Sequence, residues 1–346
     1  AEAPAEKKPS DLGTRLMTAA VAIPLILLFL YGGGLWWMLL VCVVMGLGAT
    51  EFYMFMEGKG MKPHRLVGIS ATLGLVIIAQ GSNAYYVTHL LMLAILGVLM
   101  WQLMIRRETA DAISAMSVTI FGVIYVGWLG SHFVLLRNVG VEVAGKYFSR
   151  GGAGGVSSFL KGIGLSGGSS TAAHAGHIEN IGMLFMLLAI AGTFLADTGG
   201  YFMGRKFGKT KLAPSISPKK SWEGLGGSLI GATLGCMLIK LAYTLLFPEE
   251  KFAAEFEYYH CAILGALITV FGLAGDLVES MLKRDARVKD ASGLLPGHGG
   301  FLDRLDSLNF TVPLTYYYVK IYYFMNLTPD VGAQVSKFLQ RYGIGG

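Results

Sequence analysis

Asp276, Glu279, Ser280 and Lys283 follow one another at spacings of three and four, which places two carboxylates, a hydroxyl and an ammonium on one face of a helix. Asp303 and Asp306 repeat the spacing of three further on. Between the two groups lie Arg284, Lys289, Asp290 and a Pro-Gly-His-Gly-Gly turn containing His298, Gly299 and Gly300. Carboxylates set among Lys and Arg suit a divalent metal that carries phosphates: oxygen ligands for Mg²⁺, and donors for the phosphate oxygens it leaves free. Glycines let backbone N–H groups come close to those oxygens. A second polar stretch, Arg205 to Glu223, follows Asp197 and holds six cations with hydroxyls at Ser215, Ser217 and Ser221. Two basic loops lying on anionic lipid would explain the cations, but not the aspartates or the glycine turn. Glu279 and Lys283 also fit a plain i, i+4 helix pair, whereas Asp276 has no cation three or four residues away. The run Gly204 to Thr210 lacks a glycine that a P-loop requires and follows an apolar helix rather than a strand.

The elements that must carry these groups are set by composition. Of 346 residues, 14% are charged and 53% hydrophobic, with 48 glycines and a mean hydropathy of +0.56. A soluble domain is about 25% charged. The balance excludes a soluble enzyme, a disordered chain and a disulfide scaffold, and predicts an all-α polytopic membrane protein forming one catalytic domain over residues 1–346. Cys42, Cys236 and Cys261 each sit alone in an apolar run and read as packing residues. The first residues lack a signal-peptide cleavage pattern, so the first apolar run reads as a retained span.

Nine segments suit a bilayer core of about 30 Å: approximately Leu16 to Tyr31, Leu35 to Met56, Leu66 to Ala79, Tyr86 to Ile105, Ile113 to Leu136, Ile181 to Gly204, Gly224 to Phe247, Tyr258 to Leu282 and Leu308 to Asn326. The third is short and the seventh glycine-rich, which leaves eight as the alternative. With the N-terminus cytoplasmic, 19 of the 28 Lys and Arg residues fall inside and 7 outside, in keeping with the positive-inside rule. Loops 205–223 and 283–306 then both face the cytoplasm as the catalytic loops. Residues 137–180 form a Gly/Ser-rich outer insertion, in which the GxGxxG spacing of Gly162, Gly164 and Gly167 lacks the flanking strand and helix of a nucleotide site. His174 and His177 read as residues of a solvated loop. The net charge of +6 is explained by this distribution, and no nucleic-acid partner is expected.

Ser280-Met-Leu-Lys283-Arg284, Lys289-Asp290, Leu295-Pro296-Gly297-His298-Gly299-Gly300 and Asp303-Arg304-Leu305-Asp306 together resemble the signature of the phosphatidate cytidylyltransferase (CDP-diacylglycerol synthase) family. Asp197-Thr-Gly, Gly204-Arg, Phe207-Gly208 and Ser217-Pro218-Lys219-Lys220-Ser221-Trp222-Glu223-Gly224 resemble the family's other characteristic region. The resemblance is close over the C-terminal half and rests on span count and general character before it; the insertion at 137–180 is longer than the family leads one to expect.

The resemblance implies the reaction CTP + phosphatidate → CDP-diacylglycerol + pyrophosphate, in an integral protein of the bacterial inner membrane with its site facing the cytoplasm. Asp276, chosen by its helix face, and Asp303, chosen by the resemblance, are the expected ligands of Mg²⁺ and of a second metal ion if there is one, with Asp306 standing behind them. Lys283, Arg284, Lys289 and Arg304 would bind phosphates, joined from the other loop by Ser217, Lys219, Lys220 and Ser221. Asp197 and the backbone of Gly299 and Gly300 complete the substrate site. A phosphatidate oxygen is already ionised near neutral pH, so His298 reads as a loop-organising or phosphate-contacting residue ahead of a general base. Asp290 reads equally as an orienting group or a solvated charge. Membrane lipids are expected partners, and the small-residue face from Gly224 to Gly235 could support a homodimer. A transporter would carry internal repeats and mid-span ligands. A phosphotransferase that consumes CDP-diacylglycerol carries a motif beginning Asp-Gly, a dipeptide this chain lacks.

Overall fold

A computed structural model describes residues 11–81, 83–107, 109–140, 172–250, 253, 256–288, 292 and 299–327. Its elements are helices α1 (Asp11–Gly32), α2 (Gly34–Gly58), α3 (Arg65–Ala79), α4 (Ala84–Trp101, prolonged by a π turn at Gln102–Arg106), α5 (Ala112–Gly122) and α6 (Leu129–Arg137), the last two joined by a π turn at Val123–Trp128. Then come α7 (Ala172–Phe207), a hairpin of β1 (Lys211–Ala213) and β2 (Ser217–Ser221), α8 (Trp222–Leu246), α9 (Tyr258–Asp285), the single turn α10 (Leu302–Leu305) and α11 (Leu308–Leu327).

This is a helical integral membrane protein. Among the described residues six helices are long and apolar enough to cross a bilayer: Gly34–Gly58, Ala84–Arg106, Ala112–Arg137, Asn180–Phe207, Trp222–Leu246 and Tyr258–Asp285. The other three expected spans are helical but differ in kind. Met17–Gly32 and Arg65–Ala79 are shorter apolar helices; at 15 residues, α3 is about 22 Å long and falls short of the hydrocarbon core. Helix α11 is polar for a span because it packs inside the bundle. Asn309, Thr311 and Thr315 are fully buried there, with Thr311 Oγ1 2.9 Å from Thr193 Oγ1 and the Asn309 amide donating to the Tyr125 carbonyl.

Two boundaries also depart from expectation. Helix α7 begins at Ala172, inside the stretch read as an outer loop, while residues 141–171 of that stretch lie outside the described residues. The loop 205–223 contains a two-stranded antiparallel hairpin, with Lys211 opposite Ser221 and Ala213 opposite Ser217, so the chain is not wholly helical.

Close helix approach positions the site. Where α7 crosses α8, a Cβ on Gly227 would lie 2.5 Å from the Gly199 carbonyl oxygen, and one on Gly231 would lie 2.1 Å from that of Leu195. The small-residue face expected to serve a homodimer is therefore spent within the chain. On α9, a Cβ on Gly275 would sit 2.4 Å from the Asp306 carbonyl oxygen, which fixes Asp276 beside the start of α11. The common core runs through Phe52, Tyr53, Leu75, Val126, Phe185, Ile268 and Tyr316, all buried.

Candidate active site

The C-terminal ends of α2, α7 and α9, the hairpin and the N-terminal ends of α8 and α11 meet at one end of the bundle. Lys59 at the end of α2 pairs with Asp285 at the end of α9 and ties two of these termini together. Lys and Arg crowd the last turns of α7 and α9, where the helix dipole favours cations.

The hairpin sorts its lysines by strand alternation. Lys219 is exposed, whereas Lys220 turns inward and places Nζ 2.5 Å from Asp276 Oδ2. The Ser280 hydroxyl donates to Asp276 Oδ1 at 3.2 Å. Thr193, Asp197, Lys220, Ser228, Thr269 and Gly272 line a small cleft between α7, α8 and α9. The negative charges of Asp276 and Asp197 also reach Asp306, whose Oδ1 accepts from the Ser307 N–H at 2.6 Å. Burial first, then those neighbouring charges, push the Asp306 carboxyl up to about 7, against the opposing Ser307 N–H and Lys283.

A second group lies deeper. Lys283 Nζ is 2.7 Å from Glu279 Oε2 and 2.8 Å from Asp303 Oδ1, so one ammonium bridges two buried carboxylates. The other Asp303 oxygen accepts from the Gly300 N–H at 2.8 Å. Burial alone would raise the Asp303 carboxyl, but Lys283 and the Gly300 N–H outweigh it and hold it below the usual carboxylate range. Gly299 adopts φ +79°, and a Cβ there would lie 2.6 Å from Asp303 Oδ2, so both conformation and space demand glycine. Glu279 Oε1 is buried without a hydrogen-bond partner among the described residues. The phosphate-binding candidates Arg284 and Arg304 are exposed at the rim, and Ser217 is half-buried.

Ser221, expected to bind phosphate, is buried and caps α8, its Oγ accepting from the Gly224 N–H at 3.1 Å. Lys289, Asp290 and His298 lie outside the described residues. Glu51, a carboxylate in the apolar run of α2 that is not among the site residues named above, accepts hydrogen bonds from the loop that leads into α10. The signal was the cost of a carboxylate in that position.

The donor set can be tested against Mg²⁺. Among the described residues no three His, Cys, Asp or Glu side chains form a ready-made metal cluster. Mg²⁺ is commonly held by one or two carboxylates together with substrate phosphates, and Asp276, Asp306 and Asp197 supply oxygens whose mutual repulsion a cation would relieve. The residues fit the ion. Of the two expected ligands, Asp276 is engaged by a lysine that is itself partly exposed. Asp303 already accepts from Lys283 and the Gly300 N–H and would share its oxygens with the ion.

The sequence of the chain is similar to those of known proteins. The sequence profile of the Cytidylyltransferase family matches residues 13–322. A phosphatidate cytidylyltransferase of Synechocystis is 34% identical over 313 residues, covering 88% of this chain and 95% of the relative. Chloroplastic phosphatidate cytidylyltransferase 4 of Arabidopsis thaliana is 30% identical over 332 residues, 91% of this chain and 75% of the relative. A phosphatidate cytidylyltransferase of Haemophilus influenzae is 42% identical over 146 residues, 42% of this chain and 49% of its own length.

Proposed function

The chain belongs to the cytidylyltransferase family and is a nucleotidyltransferase, and from that premise we propose that it transfers the cytidylyl group of CTP to phosphatidate, with Mg²⁺, at the cytoplasmic face of the inner membrane. The observation that carries this reading is the convergence of Asp276, Lys220, Lys283 and Asp303 at the bundle end that also gathers the basic loops. A lipid phosphate is available there from the bilayer and a nucleotide from the cytosol.

The reaction joins an oxygen of the phosphatidate phosphate to the α-phosphorus of CTP, breaks the α–β bridge and releases pyrophosphate with the bonding pair. Both reactants are anions, so positioning and charge neutralisation dominate. Lys220 moves from Asp276 to a substrate phosphate as substrate enters, and Arg284 and Arg304 bind phosphate oxygens at the rim. Asp276 and Asp306, together with Asp303, would hold Mg²⁺. The bound ion would make the α-phosphorus more electrophilic and stabilise the departing pyrophosphate. Lys283 holds Asp303 and the Gly299–Gly300 backbone in place.

The test is to supply purified protein with phosphatidate, Mg²⁺ and CTP labelled at the α-phosphate. Labelled lipid and an equal amount of pyrophosphate are expected; absence of both would reject the reaction. A cysteine placed at Ser217 should be shielded from an impermeant thiol reagent outside intact cells. Reaction there would reject the cytoplasmic orientation.

A further inference from the structure

Glu51 is 1% exposed on α2, seven residues before the helix ends, or about 10 Å along its axis. A carboxylate at such a depth is costly unless hydrogen bonds satisfy it. The donors that satisfy it come from a segment some 250 residues away in the chain: Phe301 N–H donates to Oε1 at 3.0 Å and Leu302 N–H to Oε2 at 2.9 Å. The Ser292 hydroxyl donates to Oε1 as well. Gly300 fills the gap between: a Cβ there would lie 2.6 Å from Glu51 Oε2, while its own N–H is held by Asp303. The strand of loop at Gly300 thus runs between two carboxylates, Glu51 from α2 and Asp303 from α10.

We propose that Glu51 is a positioning residue that sets where the Gly299–Gly300 backbone and the Lys283–Asp303 pair lie relative to the nucleotide phosphates; the inference rests on the reaction proposed above. Glu51 touches no reacting atom in this account. Its fitness lies in donor counting: three donors converge on it, and a carboxylate offers only acceptors. Glutamine keeps the length but turns an NH₂ donor toward at least one of them, leaving a buried N–H unpaired. Aspartate keeps the acceptors but withdraws them by one methylene.

Glu51→Gln should lower kcat/KM for CTP by roughly 100-fold, the effect of misplacing reacting groups by about 1 Å, through a lowered kcat together with a raised KM for CTP, with KM for phosphatidate unchanged. Glu51→Asp should recover part of the loss. A role confined to folding would lower the yield of active enzyme and leave both KM values as they are, and that result would overturn the proposal. Backbone hydrogen exchange without substrates gives an independent reading: the Phe301 and Leu302 amides should exchange faster in Glu51→Gln, and unchanged protection would also overturn it. Should the wild-type protein make no product, the reaction proposed above fails, and the anchoring is then judged by the exchange result alone.

Discussion

The active end of the molecule contains two lysine–carboxylate groups of similar composition and different setting. Lys220 and Asp276 form a pair whose side chains are 24% and 29% exposed, contributed by a hairpin and by α9. Lys283 bridges Glu279 and Asp303, whose side chains are 1% and 5% exposed, while its own is 16%. The partly exposed pair can exchange its partner for a substrate phosphate or a metal ion at modest cost, because water screens the charges left behind. The buried group cannot, since removing one member strands an uncompensated charge. The first is suited to binding and release, and the second to holding the loop in shape.

The contrast can be broken by mutation. Asp276→Asn should reduce turnover at least about 1,000-fold, the scale of losing a central electrostatic contribution, while the melting temperature stays close to wild type. A near-normal rate would remove Asp276 from the reaction. Lys283→Met should destabilise the protein by about 3–5 kcal/mol, because it strands two buried carboxylates, and thermal unfolding in detergent would register this. Lys220→Met should instead leave unfolding nearly unchanged and raise KM for CTP. If both substitutions lower stability equally, the division between the two groups fails.

A fourth prediction concerns acid. Asp306, pushed up to about 7, binds a proton in the range where an ordinary carboxylate is already ionised. Metal binding needs the ionised form, so the Mg²⁺ concentration for half-maximal rate should rise as pH falls below about 7, by about tenfold per unit where a single proton competes. Asp306→Asn should flatten that dependence. The smallest effect is expected at Ser221. Its hydroxyl caps α8, so Ser221→Ala should cost about 1 kcal/mol of stability and leave KM for CTP unchanged; a large rise in KM would return Ser221 to the phosphate site.

The sequence displayed the carboxylates but not their division of labour. Spacings of three and four showed that Asp276, Glu279 and Lys283 share a helix face, and the family signature added Asp303 and Asp306. Nothing local distinguished Lys220 from Lys219, because the hairpin that turns one inward is only a few residues long and its Pro/Ser-rich sequence gives little strand signal. Ser221 was ambiguous for a related reason: a hydroxyl before Trp-Glu-Gly suits a helix cap as well as a phosphate ligand, and the Gly224 contact shows the cap. Glu51 stood out as a charge in an apolar run, but its partners are distant in sequence. Likewise the glycines of α8 announce a close helix contact without saying with which helix, and α7 supplies it. The short α3 and the polar α11 show that apolar length marks lipid contact better than it marks helices packed among other helices.

The central claim is that the partly exposed Asp276 and Lys220 group carries cytidylyl transfer while the buried group supports it. Its most direct test is the rate of labelled lipid formation from α-labelled CTP, phosphatidate and Mg²⁺ by wild type, Asp276→Asn and Lys220→Met at matched folded concentration. The account predicts rapid transfer with stoichiometric pyrophosphate for wild type, none detectable for Asp276→Asn, and activity recoverable at high CTP for Lys220→Met. Transfer by Asp276→Asn at the wild-type rate would contradict it.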